Sequence, residues 1–216
     1  MVRAVAVPST RKLTSPGWTE ELANGFSTAG TRTRLTIGLL AVAAVVVSII
    51  SAPGIIGILG AGLALLTLTI AVIDWRCFII PNELTGAGFG LAIVHAAVAE
   101  PNAMLASVGF AALRSAILAS VFFLIRYAYR RLRGREGIGL GDVKLAGVAG
   151  AWLDWSIMPI AVEIAACAAI LVYLLRQFAF GQPIRATNRI PFGLFFAPAI
   201  WICWVLETTL LAPFYQ

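Results

Sequence analysis

The feature that most constrains this chain is a series of long apolar runs separated by short polar stretches. Hydrophobic residues make up 60% of its 216 residues and charged residues only 12%, against roughly 25% in soluble globular domains. Several runs approach the roughly 20 residues that a helix needs to cross a bilayer. The runs are continuous rather than alternating, which excludes an outer-membrane barrel. The sequence therefore predicts an all-α, polytopic integral membrane protein with about seven (six to seven) transmembrane helices.

The apolar segments are residues 35–51, 54–73, 84–99, 103–125, 142–153, 156–176 and 190–212. The fifth is short, because about 12 helical residues reach only about 18 Å across a hydrocarbon core of roughly 30 Å. It is predicted either to extend further or to be sunk within the bundle. It is kept as a seventh crossing, with the carboxy terminus outside, because otherwise Arg176, Arg185 and Arg189 would lie on the outer side. Residues 1–34 are polar and rich in loop-forming residues, so they are predicted to be a mobile cytoplasmic tail. Residues 35–216 are predicted to form one membrane-embedded domain.

The placement of the basic residues predicts the orientation of the chain. With the amino terminus inside, all of the 16 Lys and Arg residues except Arg114 lie on the cytoplasmic side, and the outer loops carry none. This asymmetry accounts for the net charge of +6 without a nucleic-acid partner. The three cysteines are scattered without a Cys-x-x-Cys pair, so neither a zinc site, a disulfide framework nor a cofactor is predicted.

Two aspartates are the candidate functional residues. Asp74 closes the second segment and Asp142 opens the fifth, so the predicted topology brings both to the cytoplasmic face. Two neighbouring carboxyl groups share a proton, so that one can activate a water while the other protonates a scissile carbonyl. The alternative is structural, with Asp74 as an interfacial charge near Arg76 and Asp142 as a helix cap that balances Lys144. The charge pattern alone leaves both interpretations open.

Two groups of glycines are predicted to let helices approach closely in lipid. Gly86 and Gly90 form a Gly-x-x-x-Gly pattern in the third segment, and Gly54, Gly57 and Gly60 follow one another in the second. Glycine at such spacing removes side chains from a helix surface, so that another backbone can come near. The pattern therefore predicts helix packing rather than a binding role for these residues.

Other polar residues within the segments are predicted to be structural. Arg114 and Glu163 lie at similar depth when counted from the outer ends of their segments, which predicts a buried ion pair. His95 is the one histidine of the chain and lies near the outer end of the third segment, far from both aspartates. It is predicted to be an interfacial polar group rather than a catalyst.

Three motifs resemble those of the bacterial type IV prepilin peptidases. Residues 136–145 (EGIGLGDVKL) resemble the second catalytic motif of that family, and Asp74 precedes Ile80-Pro81-Asn82 at the spacing of its first motif. Residues 190–193 (IPFG) resemble a third conserved stretch of the family, although Leu194 stands where many relatives have proline. The resemblance covers roughly residues 60–200.

This resemblance implies an aspartic endopeptidase in the bacterial cytoplasmic (inner) membrane. Its expected substrates are prepilin-like precursors, from which it would remove a short basic leader at the cytoplasmic face, just before a hydrophobic helix. Catalysis is expected from Asp74 and Asp142 alone. Supporting roles are expected for Pro81, Asn82, Glu136, Gly139, Gly141 and Lys144.

The resemblance is to the short, peptidase-only form that serves tight-adherence (Flp-type) pili. Methyltransferring members carry paired Cys-x-x-Cys motifs, and nothing similar precedes residue 60 here, so N-methyltransferase activity is not expected. The motifs encode neither the particular pilin nor an oligomeric state.

Two other interpretations remain at this point. Intramembrane proteases of the presenilin and signal peptide peptidase type also use Gly-x-Gly-Asp, but they pair it with Tyr-Asp and a later Pro-Ala-Leu. This chain has Ile73-Asp74 and, at residues 197–200, Ala-Pro-Ala-Ile. The second alternative is a transporter or non-catalytic membrane scaffold, in which the aspartates bind protons or cations.

Overall fold

A computed structural model describes residues 31–134, 137–180 and 191–211. Over these ranges the chain is helical and has no strand, which confirms the all-α prediction. The helices are α1 (Thr31–Ser51), α2 (Ile55–Cys77), α3 (Asn82–Ala99), α4 (Met104–Arg133), α5 (Leu140–Trp152), α6 (Met158–Phe180) and α7 (Phe192–Leu206). A 3₁₀ turn at Pro101–Ala103 precedes α4, and a π-helical turn at Glu207–Leu211 follows α7.

Each of the predicted apolar segments contains one of these helices, with shifts at the ends. α1 begins at Thr31 rather than at residue 35, and residues 1–30 of the predicted tail lie outside the described residues. α4 continues to Arg133 instead of ending near residue 125, because Arg130, Arg131 and Arg133 lie in its last turn, where cations suit the helix dipole. Gly134 then ends the helix with a φ of 67°, and its N–H donates to the Arg130 carbonyl at 3.0 Å.

The chain divides into two compact units after Gly38, within α1. The described part of the first unit, residues 31–38, is the beginning of α1, where the Thr36 hydroxyl donates to the Arg32 carbonyl at 2.9 Å. All packing described below belongs to the second unit, residues 39–216.

Five stretches of the described chain are long and apolar enough to cross a membrane. They are residues 31–51, 55–77, 101–133, 158–175 and 192–210. α3 and α5 are not among them. α5 has 13 residues, and every residue from Leu145 to Trp152 is buried. A helix that is apolar and buried on all sides belongs to the core, so the fifth segment is sunk within the bundle rather than extended.

The core forms where α5 packs against α3 and α4, and where α7 packs against α2 and α6. Leu63, Leu145, Phe196 and Ile200 have no exposed surface. Trp204 is 1% exposed, and its ring fills the space beside Gly60, where an added Cβ would overlap it. An added Cβ at Gly57 would likewise meet the Ala52 carbonyl. The predicted close packing is therefore present at these two glycines.

The same prediction is wrong within this chain for the other glycine pair. A Cβ added at Gly86 or Gly90 would meet nothing within 4 Å. The face of α3 that carries these glycines is not packed against another described helix. Gly54 also has open space, and its φ of 64° marks it as the turn residue before α2 rather than a packing residue.

The predicted ion pair between Arg114 and Glu163 is wrong as well. Arg114 pairs with Asp154 at 2.8 Å and donates from Nε to the Gly150 carbonyl at 3.3 Å, whereas Glu163 is exposed. Counting residues along a helix gives depth but not the direction in which a side chain points around the axis. His95 lies close by, with its ring centroid 4.8 Å from that of Trp152, and it accepts a hydrogen bond from Trp204 at 3.3 Å.

Candidate active site

Asp74 lies in the last turn of α2, with only 5% of its surface exposed. Its Oδ2 accepts a hydrogen bond from the Leu194 N–H at 2.9 Å, and the Gly193 N–H also interacts with the carboxylate; both residues lie in the first turn of α7. The first N–H groups of a helix have no partner within the helix and favour a negative charge. An added Cβ at Gly193 would lie 2.8 Å from this oxygen, so only glycine lets the carboxylate approach so closely.

A tight turn after Asp74 carries the chain from α2 into α3. Phe78 caps α2 in the left-handed conformation (φ 54°, ψ 34°), and its N–H donates to the Asp74 carbonyl at 3.0 Å. A non-glycine residue is strained in this region, so the surrounding structure must hold it there. Pro81 is then the N-cap residue of α3, with Ile80 directed into the core at 8% exposed surface.

Asp142 lies in the first turn of α5. Its Oδ2 accepts a hydrogen bond from the Gly139 N–H at 3.1 Å, which is the carboxylate half of a capping box. Asp142 therefore has the cap role of the structural alternative, although the N-cap residue itself is Gly139. The side chain is half-buried, and this burial raises the pKa of Asp142 above its ordinary value, while the Gly139 N–H lowers it in part.

The structure brings the two aspartates together. They lie on different helices and 68 positions apart in sequence (142 − 74), yet the residues around them meet at one side chain. Ile80 joins their surroundings: an added Cβ would lie 2.9 Å from its Cβ at Gly141, and 2.8 Å from its Cδ1 at Gly193. All three sequence motifs therefore meet around one isoleucine side chain.

The supporting residues form a frame around this pair. Pro81 is buried at the start of α3, and the next residue, Asn82, accepts a hydrogen bond at Oδ1 from the Lys144 ammonium of α5. Gly139 donates to Asp142, and Gly141 leaves the space that Ile80 fills. Glu136 lies outside the described residues.

Sequence reasoning missed two parts of the site. Arg126 is 9% exposed and donates to the Ile138 carbonyl, so it holds the segment that leads to Asp142. Ile80 was read only as part of an Ile-Pro-Asn motif, and its contacts follow from the folded arrangement. The third motif includes Gly193 and directly precedes Leu194. It gave no indication that the N–H groups of these residues face Asp74.

The site can carry out acid–base chemistry. Two interacting carboxyl groups cannot both ionise easily, so the pair can hold one proton, with one member as base and the other as acid. Within residues 31–134, 137–180 and 191–211, no group of three or more His, Cys, Asp or Glu side chains is arranged to hold a metal ion.

The helices and this carboxyl pair define a multi-pass membrane protein with a polar site at the ends of two helices. Residues 61–174 match the model of the type IV leader peptidase family, which is more than half of the chain. The protein belongs to that family of peptidases.

Similar proteins are known from several bacteria. The chain is 40% identical over 93 residues to a prepilin leader peptidase/N-methyltransferase of Burkholderia pseudomallei, covering 41% of this chain and 29% of that protein. It is 42% identical over 81 residues to the leader peptidase HopD of Escherichia coli, covering 36% of this chain and 50% of HopD. A prepilin leader peptidase/N-methyltransferase of Aeromonas hydrophila is 35% identical over 103 residues, which is 44% of this chain and 33% of that protein. The chain thus spans half or less of these relatives, and no solved structure matches it.

Proposed function

We propose that this protein is an aspartic endopeptidase that removes the short basic leader from type IV prepilin-like precursors, of the Flp-type pilin or pseudopilin class. One observation carries the proposal: Gly193, which contacts the Asp74 carboxylate, and Gly141, which precedes Asp142, both lie against Ile80, so that all three motifs meet in one frame. The similarity to prepilin leader peptidases supports the substrate class. The proposal concerns hydrolysis, and the expected lack of methyl transfer stays a prediction from the sequence.

The proposed reaction uses both carboxyl groups and a water molecule. The ionised carboxylate takes a proton from the water as its oxygen attacks the scissile carbonyl carbon, and the protonated carboxyl gives its proton to the carbonyl oxygen. The resulting tetrahedral intermediate collapses as the C–N bond breaks, and the leaving nitrogen takes up a proton. The products are the free leader carboxylate and the new amino terminus of the pilin.

We further propose that the site faces the cytoplasm of a bacterial inner membrane. The support is the distribution of Lys and Arg, which places the basic end of α4 on the same side as the aspartates. This orientation puts the catalytic pair where a basic leader would remain, since cations are retained on the cytoplasmic side.

The proposal is tested by co-expressing the protein with a candidate prepilin and following the shift in pilin size. Asp74→Asn and Asp142→Asn should each abolish cleavage, because an amide cannot exchange the required proton. Asp154→Asn is the matched control, since Asp154 follows the other end of α5 and pairs with Arg114. Cleavage that survives either active-site substitution would overturn the aspartic mechanism and favour the transporter or scaffold alternative.

The intramembrane-protease alternative is tested in the same membranes. A prepilin with an intact leader and a helical intramembrane substrate are supplied together. Prepilin cleavage alone is expected, whereas cleavage of only the helical substrate would reverse the assignment.

A further inference from the structure

A groove of about 400 Å³ lies between α3, α4 and α5, beside the aspartate site. One face of α3 lines it with Asn82, Thr85, Gly86 and Phe89, which follow the helical spacing of three and four residues. Lys144 of α5 lies at the groove and donates to Asn82, and it comes two residues after Asp142. The groove therefore shares Asn82 and Lys144 with the frame around the aspartates, and its volume is within the roughly 300–1,000 Å³ of binding pockets.

Two features show that the described chain does not fill this groove. A Cβ added at Gly86 would meet nothing within 4 Å, so the backbone of α3 is open there. Phe89, which lines the groove as well, keeps 38% of its surface exposed. Ser115 of α4 adds one neutral hydroxyl to the lining, which a ligand can use for a hydrogen bond.

The charge of the groove favours one part of a precursor, the apolar segment, over the other, the basic leader. Lys144 is the one charged residue among those that line it, and no carboxylate is among them. A basic leader would be repelled by this ammonium group and would find no counter-charge. An apolar segment with small side chains has no such penalty, and it could approach the bare backbone at Gly86 as helices do in membranes.

From these observations we propose that the groove binds the apolar segment of the precursor that directly follows the cleaved bond. The proposal rests on the proposed function, since it names the substrate surface of the same site. The segment packs against Phe89 and the open backbone of Gly86, and one of its backbone polar groups pairs with the Ser115 hydroxyl. The leader extends away on the other side of the aspartates.

Filling the groove tests this proposal. Gly86→Leu places a side chain in open space, so it should block the groove without disturbing the fold, and kcat/KM for prepilin cleavage should fall at least about tenfold. The loss should appear mainly in KM, because the groove binds the substrate and the transition state alike. Gly90→Leu is the matched control: it lies one turn further along α3, also in open space but outside the groove, and its kcat/KM should stay within about twofold.

A second measurement maps the occupant directly. A photo-crosslinking residue replaces Phe89 in the Asp142→Asn protein, which would hold an uncleaved prepilin, and the control position is Val94, exposed on the same helix but outside the groove. Crosslinks from position 89 should map to the precursor residues just after the cleavage site. This measurement remains decisive if the Gly86 variant fails to fold.

Each result has a definite meaning. If the wild-type protein does not cleave prepilin, the proposed function fails, whatever the groove does. If it cleaves, but Gly86→Leu leaves kcat/KM unchanged, the groove proposal alone fails. Crosslinks from position 89 to the leader, to lipid only, or no stronger than those from position 94 would overturn it as well.

Discussion

At the scale of single residues, glycines decide how closely the segments around the two aspartates can approach one another. Gly193 and Gly141 each lie where a methyl group would collide with Ile80, and at Gly193 it would also collide with the Asp74 carboxylate. Neither glycine needs unusual backbone angles, because neither has a positive φ. Their role is to leave space, which a sequence motif marks but cannot explain.

The first prediction is that Gly193→Ala reduces cleavage by about 100-fold, since a displacement of about 1 Å in a catalytic group can cost this much. The added Cβ would lie 2.8 Å from both Asp74 Oδ2 and Ile80 Cδ1, so the carboxylate has to move. Prepilin cleavage in detergent gives the rate, and Gly90→Ala serves as the control because it adds the same methyl in open space. Equal rates for the two variants would contradict this assignment.

The second prediction concerns the cost of the raised pKa of Asp142. In the folded protein Asp142 keeps its proton to higher pH than in the unfolded chain, so its contribution to stability is complete below the unfolded pKa and is lost as pH rises through the folded pKa. Because asparagine does not ionise, the Asp142→Asn protein does not lose this stability as pH rises. The substitution should therefore raise the melting temperature at neutral pH while abolishing cleavage. The difference should vanish below about pH 4, where the ordinary aspartate is itself protonated. A wild-type advantage at neutral pH would refute it.

At the scale of helices, two tryptophans connect elements at the end of α5 that is remote from the aspartates. The indole N–H of Trp152 donates to the Gly88 carbonyl of α3 at 3.0 Å, and Trp204 of α7 packs edge-on against Trp152 at 6.3 Å. Trp152 is only 3% exposed. These contacts fix the end of α5 that carries Trp152, and the helix thereby positions Asp142 at its other end.

The third prediction tests this anchoring. Gly60→Ala should lower the stability of the bundle by about 1–3 kcal/mol, because the new methyl overlaps the buried ring of Trp204. Gly90→Ala should instead stabilise by up to about 1 kcal/mol, since alanine is the better helix former at an open position. Thermal unfolding in detergent compares the two, and a shift of the same sign for both would contradict the packing argument.

At the scale of the whole molecule, the sequence predicts the helices well because continuous apolar runs are a strong and local signal. The rotation of each helix about its own axis is instead set by contacts with distant parts of the chain. Similar depth in the membrane predicted an ion pair between Arg114 and Glu163. In the folded chain Glu163 is exposed and Arg114 pairs with Asp154. The spacing of Gly86 and Gly90 predicted packing, but their face of α3 is open. The motifs singled out both aspartates, whose catalytic role stays a prediction, whereas the role of Ile80 depends on how three distant segments meet.

The fourth prediction is the orientation of the protein in the membrane. Single cysteines are placed at Leu132, 84% exposed at the basic end of α4, and at Trp155, 45% exposed just after α5, in a protein whose own three cysteines are replaced. A membrane-impermeant maleimide should label position 155 in intact spheroplasts and position 132 only after permeabilisation. The reverse pattern would place the aspartates outside and refute the proposed topology.

The hydrogen bond between Asp142 and the Gly139 N–H gives one carboxyl group two tasks. A protonated carboxyl accepts hydrogen bonds more weakly than a carboxylate, so each arrival of a proton at Asp142 loosens the start of α5. The order of the glycine-rich segment at residues 137–141 is thus thermodynamically linked to the protonation of Asp142. In the proposed reaction, the arrival of a proton at Asp142 would therefore relax this backbone, and its departure would tighten it again.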